Sequence, residues 1–160
     1  AAERAIDRDA GEFEHIIIAR GRHAAALKQM VADAKERATD NREILIFAEG
    51  TRRLPGAAAD YKPGYLALYG ALDLPIVPVA LNSGIFWPPR TNRCAPGKII
   101  VDIAPPIPPG LDRRQVNDLV IGAIETRSDA LIHEAAKTHP ELETAQAAQA
   151  RLNARCHKQT

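Results

Sequence analysis

The sequence predicts an α/β fold in which a mainly parallel sheet is flanked by helices. Two observations lead to it. Apolar residues recur at helical spacing over residues 21–38 and are followed by a short continuous apolar run, Ile44-Leu45-Ile46-Phe47. The same order, an apolar helix and then an apolar strand, returns in residues 63–72 and 74–81. Helix and strand in alternation mark layered α/β domains, and a strand apolar on both faces suits the interior of a parallel sheet. A chain of 160 residues is within the size of one domain and can bury a core.

In chain order, residues 1–5 read as the end of an element, and Asp9-Ala10-Gly11 as a turn. His15-Ile16-Ile17-Ile18 is too short for its period to decide between strand and helix. Over residues 21–38, Leu27, Met30, Val31, Ala34 and Ala38 share one face and Lys28, Gln29, Asp33, Lys35 and Arg37 take the other, so the stripe is core and Met30 fills space. Thr39-Asp40-Asn41 ends that helix. Residues 54–60, with Pro55 and Gly56, read as a flexible crossing. Pro63 suits a first helical turn, because its missing N–H is one of those left free there. Tyr65, Leu66, Leu68, Tyr69 and Leu72 follow, and Asp73 ends the element.

Pro78 lies inside the second apolar run and cannot donate to a ladder, which argues for an edge, a bulge or a strand end. Residues 98–103 read as a third strand, and residues 105–110 as a rigid extended tract. Asp112 with Gln115 three residues on is a capping box for a helix packed through Val116, Leu119, Val120, Ala123, Ile124 and, after a polar turn, Ala130 and Leu131. The domain is expected to span 1–137. Residues 138–160 read as a polar helical or frayed tail with little to bury.

Chemistry concentrates where the first apolar run ends, in Phe47-Ala48-Glu49-Gly50-Thr51-Arg52. Ligands of open parallel sheets bind beyond the carboxyl ends of strands; glycine permits close backbone approach, and Thr and Arg supply neutral and charged donors. Those are the parts of a phosphate or carboxylate site. From local chemistry alone, an ordinary surface turn with a solvated Arg fits equally well.

The run resembles the Phe-Pro-Glu-Gly-Thr-Arg block of the 1-acyl-glycerol-3-phosphate acyltransferase family of glycerolipid acyltransferases, with Ala48 in place of the usual proline. The order continues: Ile6-Asp7-Arg8 resembles the end of the upstream Arg-containing block, Tyr61-Lys62-Pro63-Gly64 the segment after the central block, and Val77-Pro78-Val79-Ala80 the last block. The family's His-x4-Asp pair has no counterpart, since none of the five histidines is followed at that spacing by Asp. The chain therefore reads as the carboxyl-terminal part of a longer enzyme, truncated at the amino side of its fold.

The resemblance implies transfer of a fatty acyl group from a thioester of coenzyme A or acyl carrier protein to the free hydroxyl of a lysophosphatidate. It implies that Arg8, Glu49, Gly50, Thr51 and Arg52 form the phosphate-binding set, with Glu49 orienting Arg52 or the backbone. Lys62, Gly64 and Pro78 then shape the site. A different acceptor, such as glycerol 3-phosphate or a lyso-ornithine lipid, is compatible with the same block, as is a non-catalytic module that binds lipid phosphate.

Lys plus Arg is 21 and Asp plus Glu is 20, a balance that gives no field for nucleic acid. Cys94 and Cys156 have no metal-ligand spacing and read as free thiols, so neither a metal nor a bound cofactor is expected. Residues 74–87 are too short and too interrupted by Pro75, Pro78, Asn82, Ser83 and Gly84 to span a bilayer. Phe86, Trp87, Arg90 and Arg93 form an aromatic and basic cluster that suits either a core lid or contact with a membrane surface. With the resemblance, the second reading implies association with the cytoplasmic face of the cell membrane.

Overall fold

A computed structural model describes residues 23–39, 42–92 and 94–157, and the chain divides into two compact units, 1–45 and 46–160. In the first unit the described helix is α1, His23–Thr39. Its face is the one the spacing predicts: Met30 and Ala34 are buried, while Lys28, Gln29 and Lys35 are exposed. Gln29 Nε2 donates to Asp33 Oδ1 at 2.6 Å one turn on.

The second unit contains α2 (Gly64–Leu72), β1 (Val79–Leu81), α3 (Ser83–Phe86), β2 (Val101–Ile103), α4 (Arg113–Thr138) and α5 (Glu143–Cys156). Pro63 caps the start of α2, and Asp73 closes it in the left-handed region at φ 53°, which a short polar side chain tolerates. The second apolar run becomes a strand only from Val79, directly after Pro78. The long helix α4 begins where the capping box places it: the Asp112 carboxylate accepts from the N–H of Arg114 at 2.8 Å and of Gln115 at 3.1 Å.

The expected mainly parallel sheet does not form. Described residues are mostly helical, and the sheet is a single antiparallel pair with Val79 opposite Ile103, Ala80 opposite Asp102 and Leu81 opposite Val101. Two physical reasons account for the difference. The run Ile44-Leu45-Ile46-Phe47 belongs to no strand and has no ladder partner among the described residues, and Leu45 is 79% and Phe47 72% exposed, so it is no buried strand. Among its described residues the connection from β1 to β2 holds only the four-residue α3, and it closes on itself, with Ala95 N–H donating to Phe86 O at 2.8 Å. A chain that returns without a crossover helix pairs antiparallel. Buried Asn82 ties the ends of that loop, donating to Lys98 O at 3.2 Å and accepting from Ile100 N–H at 2.8 Å.

Two apolar clusters hold the unit together. Tyr65 and Tyr69 of α2 pack on Ile107, Val116 and Val120, and their hydroxyls are satisfied by Asn117 Oδ1 and Pro108 O, each at 2.8 Å. In the other cluster Ile85 and Phe86 of α3 and Ile132 and Ala135 of α4 meet Ala145, Ala148 and Leu152 of α5. Residues 138–160 were read as a tail with little to bury. The structure turns the alanine face of α5 inward, where small side chains allow close helix approach and one leucine, 2% exposed, fills the centre.

Leu152→Ala is expected to lower stability by about 2 to 5 kcal/mol, as for other buried leucines. Denaturant unfolding of the 160-residue chain checks it, and an unchanged midpoint would place α5 outside the cooperative core.

Candidate functional site

The residues after the first apolar run turn sharply. Gly50 N–H donates to Phe47 O at 2.9 Å, and Gly50 sits at φ 66°, a conformation that a Cβ would strain. The turn is pinned from the other side by Lys62 N–H, which donates to Ala48 O at 2.8 Å. That bond joins the Glu49 to Arg52 run to the Tyr61 to Gly64 segment, which sequence reading treated as separate blocks. Gly50, Thr51 and Arg52 are exposed, and among the described residues the Thr51 and Arg52 side chains have no hydrogen bond or ion pair. Their donors face solvent.

Behind that exposed edge lies an ion-pair cluster. Glu49 meets Arg53 at 3.7 Å and makes no ion pair with Arg52. Arg53 also donates to Asp60 Oδ2 at 2.7 Å and to Ala58 O at 3.2 Å, and Lys62 Nζ donates to both Asp60 oxygens at 2.7 and 2.8 Å. The hydrogen bond from Lys62 lowers the Asp60 pKa below the ordinary carboxylate value, with Arg53 adding to the effect. Glu49 is shifted the other way. Partial burial raises its pKa, Arg53 opposes this, and the carboxylates of Glu125 and Asp60 add to the rise.

A second tier reaches this cluster from α4 and α5. Tyr61 donates to Glu125 Oε1 at 3.0 Å, and its phenol is held far above its usual range by burial and by that carboxylate. Arg155 donates to Glu125 Oε2 at 2.8 Å, to the Asp129 carboxylate and to Ala57 O at 3.3 Å. Burial works against the Arg155 charge, but Asp129 and Glu125 outweigh it and raise its pKa. Glu49, Arg53, Glu125, Ser128, Asp129 and Arg155 line part of a cavity of about 140 Å³ between these tiers.

Among the other residues singled out in the sequence, Gly64 opens α2, and buried Pro78 accepts from Ala104 N–H at 2.9 Å. Phe86 is a core residue, edge-on to His139 with ring centroids 5.3 Å apart, whereas Trp87 is 58% exposed and Arg90 is exposed in the left-handed region at φ 65°. Arg8 and Arg93 lie outside the described residues. Sequence reading missed Arg53, Asp60, Glu125, Asp129, Arg151 and Arg155. A signal was present, since Glu125 and Asp129 are four apart on one helix and Arg151 and Arg155 four apart on the next, which places complementary charges on facing stripes.

Residues 9–82 match the family model described as Acyltransferase, a segment that contains the whole Glu49 to Lys62 cluster. This match and the relatives below show similarity to acyltransferases of glycerolipids over part of the chain. The chain is 37% identical over 90 residues to a 1-acyl-sn-glycerol-3-phosphate acyltransferase of Pseudomonas aeruginosa, covering 56% of this chain and 35% of that protein. It is 35% identical over 94 residues to the enzyme of the same name from Limnanthes douglasii, covering 58% and 34%. It is 29% identical over 121 residues to an uncharacterised acyltransferase of Schizosaccharomyces pombe, covering 73% and 43%. The chain thus spans about a third of the length of the first two relatives. No solved structure matches it. Among the described residues no group of three or more His, Cys, Asp or Glu could hold a metal ion, and no helix is long and apolar enough to cross a membrane.

The electrostatics of Glu49 give a prediction with a defined sign. Because folding raises its pKa, ionised Glu49 opposes folding, and that opposition is absent below its ordinary value of 4.5 and grows as pH rises through the raised one. Glu49→Gln is therefore expected to raise the unfolding temperature at pH 7 and to match the wild type under acid conditions. Thermal unfolding across pH 4 to 8 checks this, and a loss of stability at pH 7 would show that the Arg53 pair outweighs desolvation.

Proposed function

We propose that the turn at residues 49–52 holds the phosphate of 1-acyl-glycerol 3-phosphate in an enzyme that acylates this acceptor's free hydroxyl, giving phosphatidate. The acyl donor is a thioester of coenzyme A or acyl carrier protein. The observation that carries the reading is the turn itself: a glycine with positive φ, a hydroxyl and a guanidinium without partners among the described residues, all exposed, inside the segment matched by the acyltransferase family. A guanidinium offers a planar fork of donors that fits phosphate oxygens two at a time, and exposed Gly50 lets a ligand approach the backbone.

In the reaction the acceptor hydroxyl attacks the thioester carbonyl, the carbon–sulfur bond breaks, and the thiolate leaves. In the family's scheme the hydroxyl proton passes to the histidine of the His-x4-Asp pair, which is not among this chain's residues. The part assigned to this chain is positional. A phosphate fixed at residues 50–52, with Arg8 as a further donor, holds the hydroxyl at a set distance from the base and makes attack nearly unimolecular, an effect worth up to about 7 to 11 kcal/mol in ideal cases. Glu49 serves from behind: its contact is Arg53, and a carboxylate aimed at phosphate would repel it. Acceptor and product are bilayer lipids, so the enzyme works at the cytoplasmic face of the membrane. Exposed Trp87 with Arg90 supports a surface contact there, the ring at headgroup depth and the cation against phosphate.

In the full-length enzyme Arg52→Ala is expected to raise KM for the acceptor and lower kcat/KM by roughly 30-fold to several thousandfold, with folding intact. Arg52→Lys recovers part of the loss, because a point charge cannot reproduce the fork. Steady-state kinetics at saturating acyl donor, with circular dichroism as the folding check, measure both; a wild-type kcat/KM for Arg52→Ala would rule out the assignment.

A further inference from the structure

We infer that α5 is a brace for the Glu49 to Arg53 turn and that Arg155, with Arg151, is a positioning residue of the site; this rests on the phosphate reading above. The turn has few ties of its own. After Arg53 the chain passes through residues 54–58, which belong to no helix or strand, and an exposed anion-holding turn on such a segment needs an anchor. The anchor comes from nearly a hundred residues away. Arg151 Nε donates to Pro55 O at 2.9 Å and Arg155 Nη1 to Ala57 O at 3.3 Å. Between them Gly56, at φ 76°, lies so close to α5 that a Cβ there would come within 2.4 Å of Ala148 O. Backbone is seated on backbone.

The same guanidinium fixes the far side of the segment. Arg155 holds Glu125, and Glu125 accepts from the Tyr61 hydroxyl, so residues 57 and 61 are both referred to one cation, while residue 55 is referred to Arg151. The next residue, Lys62, pins Ala48 through its backbone N–H, which closes the path around the turn. Asp129 holds the guanidinium in place. Arginine suits this node because its fork reaches two carboxylates and a carbonyl at once, which an ammonium on a flexible stem does not. None of α5 falls within residues 9–82, so the brace lies beyond the segment matched by the family model.

The test compares Arg155→Met, Arg155→Lys and Arg151→Met with Asp112→Ala, a destabilising change at the exposed N-cap of α4, all in the full-length enzyme. Arg151→Met removes only the bond to Pro55 and keeps the test usable should the loss of Arg155 unfold the protein. Two readings are taken: amide hydrogen exchange across residues 48–62, which needs no ligand, and KM for lysophosphatidate against KM for acyl-CoA. Expected for both Met variants are faster exchange confined to residues 48–62 and an acceptor KM raised about tenfold, with donor KM unchanged. Arg155→Lys should fall between them and wild type, and Asp112→Ala should change neither reading. Unchanged exchange at residues 48–62 overturns the brace. Faster exchange with an unchanged acceptor KM, while Arg52→Ala raises it, overturns the positioning role. If exchange quickens but Arg52→Ala is also silent, the brace stands and the phosphate reading falls.

Discussion

The arrangement of the second unit depends on one partly buried guanidinium. Arg155 is mostly withdrawn from water, and a charge so placed costs several kcal/mol unless it is paired and hydrogen-bonded. Glu125 and Asp129 on α4 neutralise it, and Ala57 O takes a further N–H. Each of these partners would be left desolvated without it. Such an interaction contributes modestly to net stability, but a placement of α4, α5 or the segment after Arg53 that separates these partners is costly. The apolar contacts of Ile85, Ile132, Ala148 and Leu152 supply cohesion, and the ionic node supplies the register.

That division of labour explains why the turn at residues 49–52 can be exposed and still shaped. Its outward donors are kept free of intramolecular partners, while the inward residues Glu49 and Arg53 are engaged with Asp60 and the cavity wall. Partial burial, with the carboxylates of Glu125 and Asp60 adding to it, raises the Glu49 pKa against the opposing charge of Arg53. An electrostatically unfavourable residue beside an exposed turn persists when the surroundings over-determine it.

Local chemistry was legible in the sequence and long-range pairing was not. The stripe of α1, the Asp112 cap and the end of α2 at Asp73 all follow from neighbours within a few residues, and the structure has them, with Pro78 at the boundary of a strand that starts at Val79. Phe47 misled because an apolar run says that a segment can be buried, not that a partner strand lies beside it. The tail misled for the opposite reason: alanine looks weakly apolar, yet at Ala145 and Ala148 it lets two helices come close enough to enclose Leu152. At the site, the Glu-Gly-Thr-Arg run and the Lys62 segment stood out by residue type. Arg155 did not, because its meaning lies in acceptors 26 to 98 residues away.

The central claim is that the exposed side-chain donors of Thr51 and Arg52 select phosphate. The most direct measurement is a titration of the isotope-labelled full-length enzyme with glycerol 3-phosphate, the headgroup of lysophosphatidate, followed by amide chemical shifts, with glycerol as the control. The account predicts saturable shifts concentrated at Gly50, Thr51, Arg52 and Arg53 with glycerol 3-phosphate, and none there with glycerol. Equal responses to the two compounds, or shifts that leave residues 50–53 untouched, would contradict it.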